Sequence, residues 1–84
     1  MYYLYVLKSM YDDKLYVGYT NDLKRRLSEH NSGKVKSTKS RMSFQLRYYE
    51  AYSKESEAKQ REYSLKKDGK ALAQLKRRIH ESLQ

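Results

Sequence analysis

Met1-Tyr2-Tyr3-Leu4-Tyr5-Val6-Leu7-Lys8 and Leu15-Tyr16-Val17-Gly18-Tyr19-Thr20 are aromatic and aliphatic runs separated by the six residues Ser9–Lys14. Their composition predicts two strands, and Asp12-Asp13 between them reads only as turn chemistry. Placing Tyr5 opposite Tyr16 in an antiparallel pair sets Leu4 opposite Val17 and Val6 opposite Leu15. The four aliphatic residues then share one face, and both tyrosines share the other with Gly18. A slip of one residue would mix the faces, so the hydrophobic pattern and this register agree.

Downstream, Asn21 is the predicted N-cap of a helix from Asp22 to about His30, with Leu23 and Leu27 inward. At about 100° per residue, Arg26 and His30 fall on that same stripe, while Lys24, Arg25, Ser28 and Glu29 fall elsewhere. Asn31-Ser32-Gly33 ends the helix, and Phe44–Tyr52 reads as a third strand. Ser53 is placed to cap a second helix, Lys54 to Lys67, which stops at Asp68-Gly69. Ala58 and Leu65 mark its inward stripe, with Glu62 between them. A third helix, Lys70 to about Ser82, turns Leu72, Leu75 and Ile79 inward and is basic elsewhere through Lys70, Lys76, Arg77 and Arg78. The order ββαβαα predicts an α+β fold: a small three-stranded antiparallel sheet flanked by helices. The 84 residues are expected to form a single domain, without repeat, linker or low-complexity segment.

Composition narrows the chemistry. Cysteine is absent, which excludes disulfides and thiolate-ligated zinc. No apolar run approaches the roughly 20 residues of a membrane span, and Met1-Tyr2-Tyr3-Leu4 lacks the positive segment of a signal peptide. The expectation is a soluble cytoplasmic protein with no membrane partner and no small-molecule cofactor. Nineteen Lys and Arg against ten Asp and Glu give a net charge of +9, a field that draws in polyanions. Between His30 and Tyr49 there is no acidic residue, while Lys34, Lys36, Lys39, Arg41 and Arg47 all fall there. Ser32, Ser37, Thr38, Ser40 and Ser43 are interspersed, and hydroxyls of this kind also bond phosphate oxygens. This stretch reads as a loop facing nucleic acid, with DNA the expected partner. Of the ten tyrosines, Tyr11, Tyr19, Tyr48, Tyr49, Tyr52 and Tyr63 are expected to be half-buried packing residues.

Two ionisable residues on apolar stripes stand out. A charge turned inward is costly unless paired, metal-bound or placed in a functional cleft. Arg26 and Glu62 therefore read either as an ion pair between helices or as parts of a site.

Tyr5 and Tyr16, eleven positions apart, followed ten positions later by Arg26 and on a later helix by Glu62, resemble the active-site set of the GIY-YIG nucleases. That family includes the N-terminal nuclease domain of an excinuclease component and the phage homing endonucleases. Val17-Gly18-Tyr19-Thr20-Asn21-Asp22-Leu23-Lys24-Arg25-Arg26-Leu27, Glu29-His30-Asn31-Ser32-Gly33 and Ser56-Glu57-Ala58-Lys59-Gln60-Arg61-Glu62 look like the small stand-alone bacterial members. The resemblance covers roughly residues 1–67 and leaves the basic helix at about 70–82 outside it. Two departures are visible: Tyr3 stands where the first signature has glycine, and the late asparagine of many members has no counterpart.

The resemblance implies an endonuclease that hydrolyses DNA phosphodiesters with one Mg²⁺ or Mn²⁺, with a role in DNA repair or recombination. Glu62 would hold the metal, Arg26 would offer donors to phosphate, and Tyr16 would act as general base. A phenol is protonated at neutral pH, so it serves as a base only where Arg26, the metal or a second base favours its phenolate. His30 is the candidate second base or a phosphate contact, and Tyr5 would position the phosphate or the water. Gly18, Lys24, Arg25, Lys34, Lys36, Lys39 and Arg41 are the candidate substrate contacts. The rival readings are a nucleic-acid-binding module on the same fold that does no cutting, and a basic adaptor that docks through its tyrosines.

Overall fold

A computed structural model describes residues 1–84. It contains β1 (Tyr2–Ser9), β2 (Leu15–Thr20), α1 (Leu23–Asn31), β3 (Phe44–Tyr52), α2 (Glu55–Lys67) and α3 (Gly69–Arg78), with short 3₁₀ turns at Lys39–Arg41 and Glu81–Leu83. The three strands form one antiparallel sheet in the order β2-β1-β3, so the fold is α+β with the expected ββαβαα order. The central strand is buried on both faces, and its alternation divides the interior. Leu4, Val6 and Val17 pack with Leu65, Leu75 and Ile79 of the two later helices and the segment after them. Tyr5, Leu7 and Phe44 form the opposite cluster, joined by Leu23 and Leu27 of α1.

The register differs from the expected one by two residues. Tyr5 lies opposite Gly18, Val6 opposite Val17 and Leu7 opposite Tyr16. A two-residue shift preserves parity, so the aliphatic residues and the tyrosines still occupy opposite faces. The turn explains the shift. Ser9 Oγ accepts from the amides of Tyr11 (3.1 Å) and Asp12 (3.2 Å), Asp12 Oδ1 accepts from Lys14 N (3.0 Å), and Asp13 takes φ of 60°. Ser9 N donates to Lys14 O at 2.9 Å, which carries pairing to the mouth of a tight loop and draws Lys8 opposite Leu15. Asp12 does more than turn: Arg41 Nε donates to its Oδ2 at 2.8 Å, fastening the far end of the basic loop to the hairpin.

β3 holds an irregularity that the sequence pattern hides. Phe44, Leu46, Tyr48, Glu50 and Tyr52 alternate as if on one face, yet Leu7 pairs with Leu46 and Val6 with Tyr48. Arg47 is the extra residue of a β-bulge, and it switches the strand's parity. Phe44 and Leu46 therefore enter the α1 side, while Tyr48, Glu50 and Tyr52 face the later helices.

Helix ends also move. Asp22, not Asn21, caps α1, because its extended backbone lets Oδ1 accept from Arg25 N at 3.0 Å; the Asn21 side chain accepts from Arg25 Nη2 instead. Lys54 stands at the N-cap of α2 without a side-chain bond, so Ser53 does not cap it. Asp68 caps α3 through Lys70 N at 2.9 Å. That helix ends at Arg78 rather than near Ser82, and the chain folds back so that Leu83 packs on the core and its carbonyl accepts from Lys8 Nζ. Among the tyrosines expected to be half-buried, Tyr11, Tyr49 and Tyr63 are exposed.

Gly18 is required by close approach. An added Cβ would fall 2.6 Å from Tyr5 Cζ, whereas one at Gly69 would meet nothing within 4 Å. Gly18→Ala should destabilise the fold by about 1–3 kcal/mol in chemical denaturation, and Gly69→Ala should leave it unchanged or slightly more stable. Equal effects of the two substitutions would contradict this packing of Tyr5 on β2.

Candidate active site

The largest hollow of the molecule, about 420 Å³, opens where Tyr5, Tyr16 and Gly18 of the first two strands meet Arg26 of α1 and Glu62 of α2. Tyr2 and Tyr19 also line it. By strand parity those two belong with Leu4 and Val17, so the hollow opens over the β2 edge rather than the middle of one face. Thr20, Asn21, Arg25 and Glu55 complete the wall. Four side chains far apart in sequence thus converge because β1 and β2 pair, Asp22 starts α1 directly after β2, and α2 packs back across the sheet.

Arg26 and Glu62 do not pair with each other. Arg26 Nη1 donates to Glu29 Oε1 at 3.0 Å within α1, and Glu62 Oε2 lies 3.4 Å from Lys66 Nζ within α2. The closed interhelical ion pair is therefore excluded, and both groups stay partly open to the hollow. Lys66 also sits over the Tyr16 ring, 5.2 Å from its centroid. Neither Lys66 nor Glu55 stood out in the sequence, although their offsets from Glu62, four residues after and seven before, put them near it on a helix.

The family profile described as the GIY-YIG catalytic domain matches residues 1–79. The chain belongs to the GIY-YIG family. Relatives called UPF0213 protein include one from Bacillus pumilus, 50% identical over 66 residues (77% of this chain, 66% of the relative). Another, from Halobacterium salinarum, is 40% identical over 72 residues, covering 84% of this chain and 92% of the relative. The chain spans just under two thirds of the Bacillus pumilus protein's length. A solution NMR structure of the UPF0213 protein from Bacillus halodurans is similar with a TM-score of 0.52 at 36% identity, covering 90% of this chain and 86% of that one. GIY-YIG domains are nuclease-type.

Behind the GIY-YIG hollow lies a buried polar chain. Tyr5 Oη is 2.9 Å from His30 Nε2, and His30 Nδ1 is 2.8 Å from Thr38 Oγ1. Thr38 Oγ1 donates to Val35 O at 3.4 Å. With the threonine proton so used, Nδ1 carries the imidazole hydrogen and Nε2 accepts from Tyr5. His30 and Thr38 have no solvent exposure. This corrects two expectations: His30 does not reach the hollow as a phosphate contact or second base, and Thr38 is not a phosphate-binding hydroxyl. Burial, and secondarily the Arg26 charge, push the His30 pKa down to about 4, so it is neutral at pH 7. Burial raises the Tyr5 phenol to about 12, against the opposing effect of the neighbouring Arg26 guanidinium. Arg26 is in turn held protonated above its ordinary range by Tyr5, then by Glu29.

The remaining candidate contacts divide. Arg25 lines the hollow and is held by Asn21, whereas Lys24 is exposed outside its wall. Lys34, Lys36 and Lys39 are exposed and join no ion pair. Arg41 is committed to Asp12 and lies 5.5 Å over the Phe44 ring, so its charge serves the fold rather than standing free for substrate.

Because His30 takes up a proton near 6.5 when unfolded and only near 4 when folded, the unfolded state binds more protons between those values. Stability is then full above the unfolded value and falls as pH drops. Thermal or urea unfolding should show a loss of about 2 kcal/mol from pH 7.5 to 5. His30→Gln, which cannot titrate, should be flat across that window. Parallel pH curves for the two proteins would contradict a neutral buried imidazole.

Proposed function

We propose that this chain is a divalent-metal-dependent endonuclease that hydrolyses phosphodiester bonds in DNA, in the service of repair or recombination. The observation that carries this reading is the convergence of Tyr5, Tyr16, Arg26 and Glu62 on one open hollow, with Arg26 and Glu62 unpaired with each other. Hydrolysis adds a water oxygen to phosphorus and releases one ester oxygen, which takes up a proton. Charge grows on the phosphoryl oxygens, and groups already in place stabilise it best. Arg26 supplies a planar fork of donors for those oxygens. Tyr5, anchored through His30 and Thr38, lines the same hollow and presents its phenol there beside Arg26. Tyr16 is the group that receives the water's proton, once it has given up its own to solvent. Lys66 brings a further positive charge beside Tyr16 and Glu62.

The donor set suits a lightly held ion. No cluster of three His, Asp or Glu side chains exists in the chain. Glu62, with Glu55 on the same wall, offers the one or two carboxylates that Mg²⁺ takes when water and phosphate oxygens fill the rest of its shell. When bound there, Mg²⁺ or Mn²⁺ supplies Lewis-acid stabilisation of the phosphoryl oxygens. Lys34, Lys36 and Lys39, with Arg25 at the rim, contribute the positive field that holds the DNA backbone.

Glu62→Gln nearly preserves volume and removes the carboxylate charge. Plasmid nicking should fall by roughly 100-fold or more, while DNA affinity measured without metal stays similar or tightens slightly. Cleavage as fast as the parent's would rule out a metal held by Glu62.

A further inference from the structure

We propose that Glu50 and Arg61, with Tyr48 and Tyr52, are positioning residues: they set the rotation of α2 about its axis and thereby aim Glu62 into the hollow. This rests on the reading of Glu62 as part of a nuclease site.

The angular arithmetic of α2 shows the need. At about 100° per residue, Leu65 lies within roughly 20° of Ala58, Arg61 about 60° to one side and Glu62 about 40° to the other. Ala58 and Leu65, with 0% and 1% exposure, are the helix's only buried residues. They define a line of contact over the sheet, but a small alanine and a single leucine resist rolling weakly. The N-terminus lacks a side-chain cap, which removes another restraint. Arg61 and Glu62 then point to opposite edges of the sheet: Arg61 to Glu50 of β3, Glu62 to the hollow over the β2 edge. Rolling the helix toward either edge moves both at once.

The Arg61 contact is built to stop that roll. Its Nε lies 3.0 and 3.3 Å from the two Glu50 oxygens, and its Nη2 lies 3.2 Å from Oε2. The carboxylate itself is pinned from the sheet: Tyr48 and Tyr52, two residues to either side, each donate a hydroxyl to one of its oxygens at 2.6 Å. Burial works against the charged form of Glu50, but the bonds from Arg61, Tyr48 and Tyr52 outweigh it and hold its pKa below the ordinary value. The β-bulge at Arg47 is what turns Tyr48, Glu50 and Tyr52 to this face. A partly buried ion pair of this kind is a poor source of stability compared with apolar packing. Its directional geometry is what a leucine could not replace. A roll of 15–20° would carry a carboxylate at the helix surface about 2 Å, and misplacement of about 1 Å can cost roughly 100-fold in rate.

The test compares Arg61→Met, Arg61→Lys and Glu50→Gln with Leu72→Ala, which weakens the α3 packing without touching the clamp. Melting temperature, kcat and KM for plasmid nicking, and Mn²⁺-induced broadening of the Glu62 and Lys66 amide resonances are measured for each. Arg61→Met and Glu50→Gln should lower kcat by about tenfold or more, leave KM for DNA nearly unchanged, and weaken the broadening at Glu62. Arg61→Lys, which keeps the charge and loses the fork, should recover little. The double variant should be hardly worse than either single one. Leu72→Ala, even with an equal fall in melting temperature, should keep both kcat and the broadening. Activity that tracks melting temperature across all variants would overturn the positioning role, as would an Arg61→Met protein with normal kcat and broadening. If Glu62→Gln itself cuts like the parent, the role of Glu62 fails and takes this proposal with it, and a parent that cuts nothing sinks the nuclease reading; normal dependence on Glu62 with an indifferent Arg61 sinks the positioning role alone.

Discussion

Burial of β1 on both faces dictates where every other element goes. Leu4, Tyr5, Val6 and Leu7 are each at most 2% exposed, so four consecutive side chains must find partners on alternate sides of one strand. That requirement places α1 on one face and α2 with α3 on the other, and it makes β1 the central strand. The site inherits its geometry from the same alternation. Tyr5 contributes to a core cluster through its ring, lies over Gly18, and reaches His30 with its hydroxyl. Any change that loosens this strand therefore disturbs the interior and the hollow together.

Charge is distributed with a similar division of labour. The pairs Arg41–Asp12 and Arg61–Glu50 link segments far apart in sequence and have both partners less than one third exposed. In contrast, Arg26–Glu29 and Glu62–Lys66 are neighbours on single helices, a kind of contact worth only a few tenths of a kcal/mol. Arg26 and Glu62 can exchange such partners for a phosphate or a metal at little cost. Lys34, Lys36 and Lys39 stay unpaired, so part of the net charge of +9 remains free of the fold's own ion pairs.

The order of elements was legible in the sequence because the strands and helices differ in period. What the pattern could not give was anything that period leaves undetermined. Alternation of two fixes parity but not register, so the β1–β2 pairing came out two residues away, decided by Ser9 and Asp13 in the turn. The bulge at Arg47 interrupts an alternation that reads as unbroken from Phe44 to Tyr52, because only the two cores together require it. At the site, the motif likeness singled out Tyr5, Tyr16, Arg26 and Glu62, and the helical count placed His30 inward. Angle alone says nothing of depth, however, and His30 is too deep to meet a phosphate. Its partner Thr38 and the Arg41–Asp12 pair join segments far apart in the chain, for which composition offers no signal.

Whether the hollow cuts DNA through its own side chains is decided by nicking of supercoiled plasmid in Mg²⁺ and in Mn²⁺, with the parent and Arg26→Ala purified identically. Removing the guanidinium forfeits a weak helix-surface pair with Glu29 and a neighbour of the Tyr5 hydroxyl, which keeps its bond to His30, so the variant should fold and bind DNA. The parent should nick, and Arg26→Ala should be slower by roughly 100-fold or more. A parent that binds DNA and leaves it intact in both metals, or an Arg26→Ala protein that nicks at the parent's rate, would contradict a nuclease built on these residues.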